Sequence, residues 1–262
     1  MTERVKNLFS DSSRRPLLSI FYTAGYPELD STAPIFQILE KSGVDFVELG
    51  IPFSDPIADG PVIQQSSAIA LDNGMNVAKV IAQVREIRES CEMPIFLMGY
   101  LNPALQYGFE RFLDDISEAG ADGVILPDLP LLDYERKYRE EFEKRNLSNV
   151  FLITPQTPEE RIRKLDELST GFLYVVSSPS ITGSKLQMNQ QRDEYLSRVQ
   201  GYNLKNPLIV GFGISDRESF LAVTQYTAGA IIGTAFIRLL EEHGIDERKI
   251  EEYIFSVKGV EA

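Results

Sequence analysis

Val44-Asp-Phe-Val-Glu-Leu-Gly-Ile-Pro-Phe-Ser-Asp-Pro-Ile-Ala-Asp-Gly-Pro61 is the stretch that decides the fold. It predicts a buried strand over residues 44–49. Side chains alternate along a strand, so Val44, Phe46 and Glu48 are expected on one face. A carboxylate on the face of Phe46 is unusual, because burying a charge is costly unless it is paired or used. Gly50 and Pro52 end the strand. The loop then carries Asp55 and Asp59 before Gly60-Pro61 opens a helix, where proline suits the first turn. One acid thus sits at a strand's C-terminal tip, and two sit on the loop just after it.

The same alternation of strand, loop and helix repeats outward from this stretch. Residues 4–10 predict a short amphipathic helix. Strand one is Leu17-Leu-Ser-Ile-Phe-Tyr-Thr23, and a helix capped by Asp30 or Ser31 runs to about Lys41. After the second strand, helices are expected at about 61–73 and 76–90. Pro94-Ile-Phe-Leu-Met98 is a continuous apolar run, which suits a parallel strand covered on both faces. Gly99-Tyr-Leu-Asn-Pro103 reads as its loop, followed by a helix at about 109–119. Strand four is Gly123-Val-Ile-Leu126, ended by Pro127-Asp-Leu-Pro130, with a charged helix over about 131–145. Strand five is Val150-Phe-Leu-Ile153, before a helix at about 158–168. Strand six is Phe172-Leu-Tyr-Val-Val176. A polar loop follows it, then a helix to about 200. Strand seven is Pro207-Leu-Ile-Val210, and Asp216 is placed to cap the next helix. Strand eight is Ala230-Ile-Ile232, with two closing helices. Ser42-Gly-Val-Asp-Phe-Val, Ala119-Gly-Ala-Asp-Gly-Val and Ala228-Gly-Ala-Ile-Ile echo one another where a helix enters a strand. Eight such units predict a single-domain (β/α)₈ barrel over residues 1–262, with its active site at the strands' C-terminal ends. An open doubly wound sheet is the rival, but no strand precedes Gly-x-Gly-x-x-Gly.

The totals narrow the chemistry. The chain has 262 residues and a net charge of −13, which argues against nucleic acid as a partner. An anionic small molecule can still be held locally by backbone amides. A lone Cys91 allows no intrachain disulfide. The polar start and the absence of a long apolar run predict a soluble, cytoplasmic protein. His243 is the only histidine and falls in the last turn of a helix, so histidine-based nucleophile triads are excluded and the usual zinc sites are not expected. Acid–base work is left to Asp, Glu, Lys or Tyr.

Two constellations stand out. Gly211-Phe-Gly213 follows strand seven and Gly233-Thr234 follows strand eight. Glycines let the backbone approach a ligand, and barrel phosphate sites use these two loops. The pair of clusters favours a phosphate site over plain tight turns. Glu48 is expected to function through a pKa raised by partial desolvation, unless a buried cation pairs with it. On spacing alone, Asp59 could equally cap a helix, and Asp55 could simply form a turn.

The run from Glu48 through Gln64 closely resembles the signature of the tryptophan synthase alpha chain family. The match continues in order through Tyr100, Asn102-Pro103, Pro127-Asp-Leu-Pro130, Ile181-Thr-Gly183, Gly211-Phe-Gly-Ile-Ser215 and Gly233-Thr234. The resemblance implies a (β/α)₈ lyase that splits indole-3-glycerol phosphate into indole and glyceraldehyde 3-phosphate, with no metal or organic cofactor. It implies Glu48 as the acid and base, and Asp59 as the acceptor of the indole N–H. Tyr100 and Tyr174 would line the pocket, with Phe21 and Leu126 as apolar walls. Phosphate would meet Gly211, Gly213, Gly233 and Thr234. Thr182 and Gly183 would belong to a lid, with Thr182 reaching Asp59. Here Ser180, Ile181 and Lys185 depart from the family's usual lid, and Tyr26 stands where aspartate is common. The family's partner is a beta chain holding pyridoxal phosphate, in an αββα assembly. Phe53, Asp55, Pro56, Asn102, Asp128 and Pro130 would face it. Two rivals remain: another sugar-phosphate barrel enzyme, which has no need of Asp59, and a non-catalytic regulatory subunit.

Overall fold

The computed structural model describes residues 1–176 and 185–260. In chain order the elements are α1 (Glu3–Ser10), β1 (Leu17–Thr23), α2 (Thr32–Lys41), β2 (Phe46–Gly50), α3 (Pro61–Asp72), α4 (Val77–Arg88), β3 (Ile95–Met98), α5 (Leu101–Tyr107), α6 (Phe109–Ala119) and β4 (Gly123–Ile125). They continue with α7 (Leu131–Asp133), α8 (Arg139–Lys144), β5 (Ser148–Val150), β6 (Leu152–Ile153), α9 (Glu159–Leu168), β7 (Leu173–Val176), α10 (Lys185–Gln200), β8 (Leu208–Gly211), α11 (Arg217–Thr224), β9 (Gly229–Ile232), α12 (Thr234–His243) and α13 (Glu247–Lys258).

The strands form one parallel sheet in the order β5-β4-β3-β2-β1-β9-β8-β7-β6. β5 and β6 are two pieces of the single run expected at 150–153. They are separated only by Phe151, whose N–H donates to Ser169 Oγ at 3.2 Å and whose carbonyl accepts from Tyr174 N at 3.0 Å. The sheet therefore comes round to itself through Phe151, and the eight strand positions make a (β/α)₈ barrel.

Period-two alternation divides the apolar residues into two cores. Leu18, Ile20, Tyr22, Val47 and Leu49 face the surrounding helices. Leu17, Phe21, Phe46, Phe96, Ile125, Tyr174 and Ile231 fill the barrel. Val44 departs from the expected register. Its N–H bonds to Leu39 O at the end of α2, so it belongs to the outer core and the strand begins at Phe46. Two helices also differ from expectation. Asn102-Pro103 was expected in a loop but lies in the first turn of α5, where proline's missing N–H does no harm. The single helix expected at 131–145 is broken by a π turn, Tyr134–Tyr138. There Tyr134 is buried against Phe142 and Phe151.

The N-terminal end of the barrel is floored by aromatic rings. Phe96 and Phe172 lie 5.2 Å apart between centroids, Phe46 packs on both, and Phe9 packs on Phe46 and Phe172. Arg4 anchors α1 across this floor, donating to Asp122 Oδ1 at 2.9 Å and to Gly120 O at 3.1 Å. Asp122 is fully buried but compensated, accepting also from Arg88 at 2.7 Å and from Ile95 N at 2.9 Å. Among the described residues no helix is long and apolar enough to cross a membrane.

Candidate active site

Glu48 is placed by register. On β2 it pairs with Phe21 on one side and Phe96 on the other, so its side chain enters the apolar interior. It is fully buried, and neither carboxyl oxygen has a hydrogen-bond partner among the described residues. No cation pairs with it among them either. Burial alone pushes its pKa well above the usual carboxylate range. An unpartnered buried carboxyl destabilises the fold, which marks it as a group kept for its chemistry.

Asp59 is half-buried on the loop after β2. It does not cap α3, whose N-cap is Gly60. Its Oδ2 accepts from the Tyr100 hydroxyl at 3.0 Å, and that hydroxyl accepts from Ala58 N at 3.1 Å. Burial raises the Asp59 pKa, and the Tyr100 bond opposes it. Burial, then the neighbouring Asp59 charge, pushes Tyr100 up to about 12. Tyr174 is buried on β7, and its hydroxyl is pushed well up by burial and then by both Glu48 and Asp59. Both acids thus act on one point of the barrel mouth.

A cavity of about 470 Å³ opens at this point. Phe21, Asp59, Tyr174, Gly213, Gly233 and Thr234 line it, as the sequence reading expects of a shared pocket. At its far end the first bond within α12 runs from Ile237 N to Gly233 O. The amides of Thr234, Ala235 and Phe236 precede that bond, and such amides favour an anion. Gly213 has φ +77°, and a Cβ there would meet nothing within 4 Å. Phe212 beside it is also left-handed, at φ +74°, a strained setting of about 1–3 kcal/mol for a bulky residue. That setting brings its ring into the cavity lining.

Three expected lining residues, Tyr100, Leu126 and Gly211, are not part of the cavity wall, and the fully buried Glu48 lies behind it. Tyr100 instead lines a smaller neighbouring pocket with Asp59. Leu126 is buried in the outer core, while its neighbour Ile125 points inward, as alternation demands. Gly211 makes room for Tyr174: a Cβ there would lie 1.9 Å from the tyrosine oxygen. Gly211→Ala is therefore expected to lower stability by about 1–3 kcal/mol through overpacking, read as a fall in Tm with reduced turnover. Lining residues that sequence reading missed are Ile63, Met98, Phe212, Ile214, Ser215, Ile231, Ala235 and Arg238. Parity marks Met98 and Ile231, and the i, i+4 spacing from Thr234 marks Arg238.

The family model described as tryptophan synthase alpha chain matches residues 9–261. The chain belongs to that family. The tryptophan synthase alpha chain of Christiangramia forsetii is 54% identical over 244 residues, covering 93% of this chain and 94% of that protein. The one from Flavobacterium psychrophilum is 53% identical over 231 residues, covering 88% and 91%. Among solved structures, tryptophan synthase subunit alpha from Legionella pneumophila superposes with TM-score 0.89 at 33% identity, covering 99% of this chain and 98% of that one. A chain of the Pyrococcus furiosus tryptophan synthase complex gives 0.83 at 31%, covering 94% and 98%.

For a tryptophan synthase alpha chain, the rim loops matter as much as the cavity. Asp55, Asn102, Asp128 and Pro130 are exposed there, Phe53 is half-buried against the Tyr100 ring at 5.2 Å, and Pro56 is buried. Asp128 also accepts from Leu101 N at 2.9 Å and so caps α5 from a neighbouring loop. Ser180, Ile181, Thr182 and Gly183 of the expected lid lie outside the described residues. Tyr26 is buried in the outer core.

Proposed function

We propose that the cavity binds indole-3-glycerol phosphate with its ring between Glu48 and Asp59 and its phosphate at Gly213, Gly233 and Thr234. The chain is the alpha subunit of tryptophan synthase and cleaves that substrate to indole and glyceraldehyde 3-phosphate. The observation that carries the residue assignment is the fully buried carboxyl of Glu48, without a hydrogen-bond partner among the described residues, beside a cavity whose only lining carboxylate among those residues is Asp59.

The bond to be broken joins C3 of the indole ring to the glycerol chain. A raised pKa lets Glu48 hold a proton and deliver it to C3, which converts the ring into an iminium-like electron sink. Asp59 accepts from the ring N–H and offsets the positive charge that develops there. Glu48, left as a carboxylate by that transfer, takes the proton from the adjacent glycerol hydroxyl, which forms the aldehyde and restores the acid. The carbon–carbon bond breaks, its electron pair returns to the ring, and neutral indole is released. Phosphate held by the α12 amides fixes the distance between the reacting carbon and Glu48.

The partner is a tryptophan synthase beta chain, and we infer an αββα assembly docked on the rim at loop 53–59, the first turn of α5 (102–103) and loop 128–130. A single barrel domain spanning 1–262 and a cytoplasmic location complete the reading. Turnover of indole-3-glycerol phosphate compared with other sugar phosphates tests it. Preference for a sugar phosphate that lacks the ring would overturn it.

Tyr100 supplies a graded test. Tyr100→Phe removes the one hydrogen bond that opposes the upward shift of Asp59. Turnover is expected to fall roughly fivefold, about the worth of one such bond. The acid limb of the pH–rate profile moves upward, because the Asp59 proton is held more tightly. An unmoved limb would detach Asp59 from the rate.

A further inference from the structure

We propose that Arg238 is a specificity-determining residue: its guanidinium supplies the cationic half of the phosphate subsite. This rests on the reading of the cavity given above. Among the described residues, Asp59 and Arg238 are the only charged side chains lining the cavity, one at the end assigned to the ring and the other on α12. Arg238 follows Thr234 by four residues, so both lie on one face of α12. Helix side chains lean toward the N-terminus, which carries the guanidinium toward the free amides of the first turn. The group is also unspent. No carboxylate lies within 4 Å of it among the described residues, although most lysines and arginines in this acidic chain hold one. Glu242, one turn further along, approaches His243 instead, at 3.6 Å.

Charge explains why such a group is useful here. A phosphate dianion approaching a chain of net charge −13 is repelled at long range. It must also share a cavity with Asp59. Helix amides give direction and partial charge only, whereas a guanidinium gives a full charge and paired N–H donors that match phosphate oxygens. With Arg238 at the α12 end, the cavity is dipolar, and an indole-bearing phosphate has one orientation that satisfies both ends.

The test uses the complex with the beta chain and measures cleavage of indole-3-glycerol phosphate. In Arg238→Gln, KM is expected to rise roughly tenfold with kcat within twofold, and KM loses part of its dependence on ionic strength. Arg238→Lys restores most of the affinity. Inorganic phosphate, used as a competitor, weakens by the same factor in Arg238→Gln, while inhibition by indole is unchanged. An unaltered KM, or equal losses for phosphate and indole, overturns the assignment to Arg238. If inorganic phosphate fails to compete even in the parent enzyme, the cavity reading falls as well.

Discussion

Glu48→Gln lowers indole release from indole-3-glycerol phosphate by roughly 10²–10⁴-fold, the span that a positioned acid–base group contributes. Glutamine fills the same volume between Phe21 and Phe96 but carries no exchangeable carboxyl proton. KM changes little, because the ring and phosphate contacts remain. The same substitution makes a second, opposite prediction for stability. Burial raises the native pKa of Glu48 above its ordinary value of 4.5, so the native state binds this proton more tightly than the unfolded chain. Stability therefore falls as pH rises from the unfolded value through the raised native one. Glutamine removes that slope. The variant's Tm relative to the parent is expected to be higher at neutral pH, with the difference shrinking toward pH 4. Melting curves across that range check it, and a pH-independent difference would show that Glu48 is solvated. Retained turnover in the variant would remove Glu48 from the chemistry.

Asp59→Asn is expected to cost about 10²–10³-fold in kcat, the usual effect of deleting one group aimed at developing charge. Asparagine can still accept from the Tyr100 hydroxyl, so the 53–59 loop keeps its footing and KM rises modestly. The loss isolates the negative charge from the hydrogen bond. A variant that kept normal kcat with a raised KM would make Asp59 a mere binding contact. Combining Asp59→Asn with Tyr100→Phe tests coupling, since the two side chains touch and their effects should add poorly.

Local sequence carried much of this. The two-residue period in β1 and β2 placed Phe21, Phe46 and Glu48 inside the barrel, and the glycines after β8 and β9 located the far end of the cavity. The misreadings share a cause: a neighbour in space overruled the neighbour in sequence. Val44 looked like strand but was held by the end of α2. Leu126 and Ile125 were equally apolar, and only the hydrogen-bond register of β4 tells which faces inward. Gly211 reads as a ligand contact until Tyr174 is seen occupying the space its side chain would need. Arg238 reads as an ordinary helical arginine until α12 places it in the cavity wall.

The aromatic plug beneath Glu48 has a consequence for traffic. The packed rings of Phe9, Phe46, Phe96 and Phe172 close the lower end of the chamber, which leaves the end where the strands stop as its door. A newly freed indole leaves most directly outward, past the loop bearing Asp59. A partner seated over that threshold would receive the product by default, so sealing the bottom of the barrel is itself a way of delivering it.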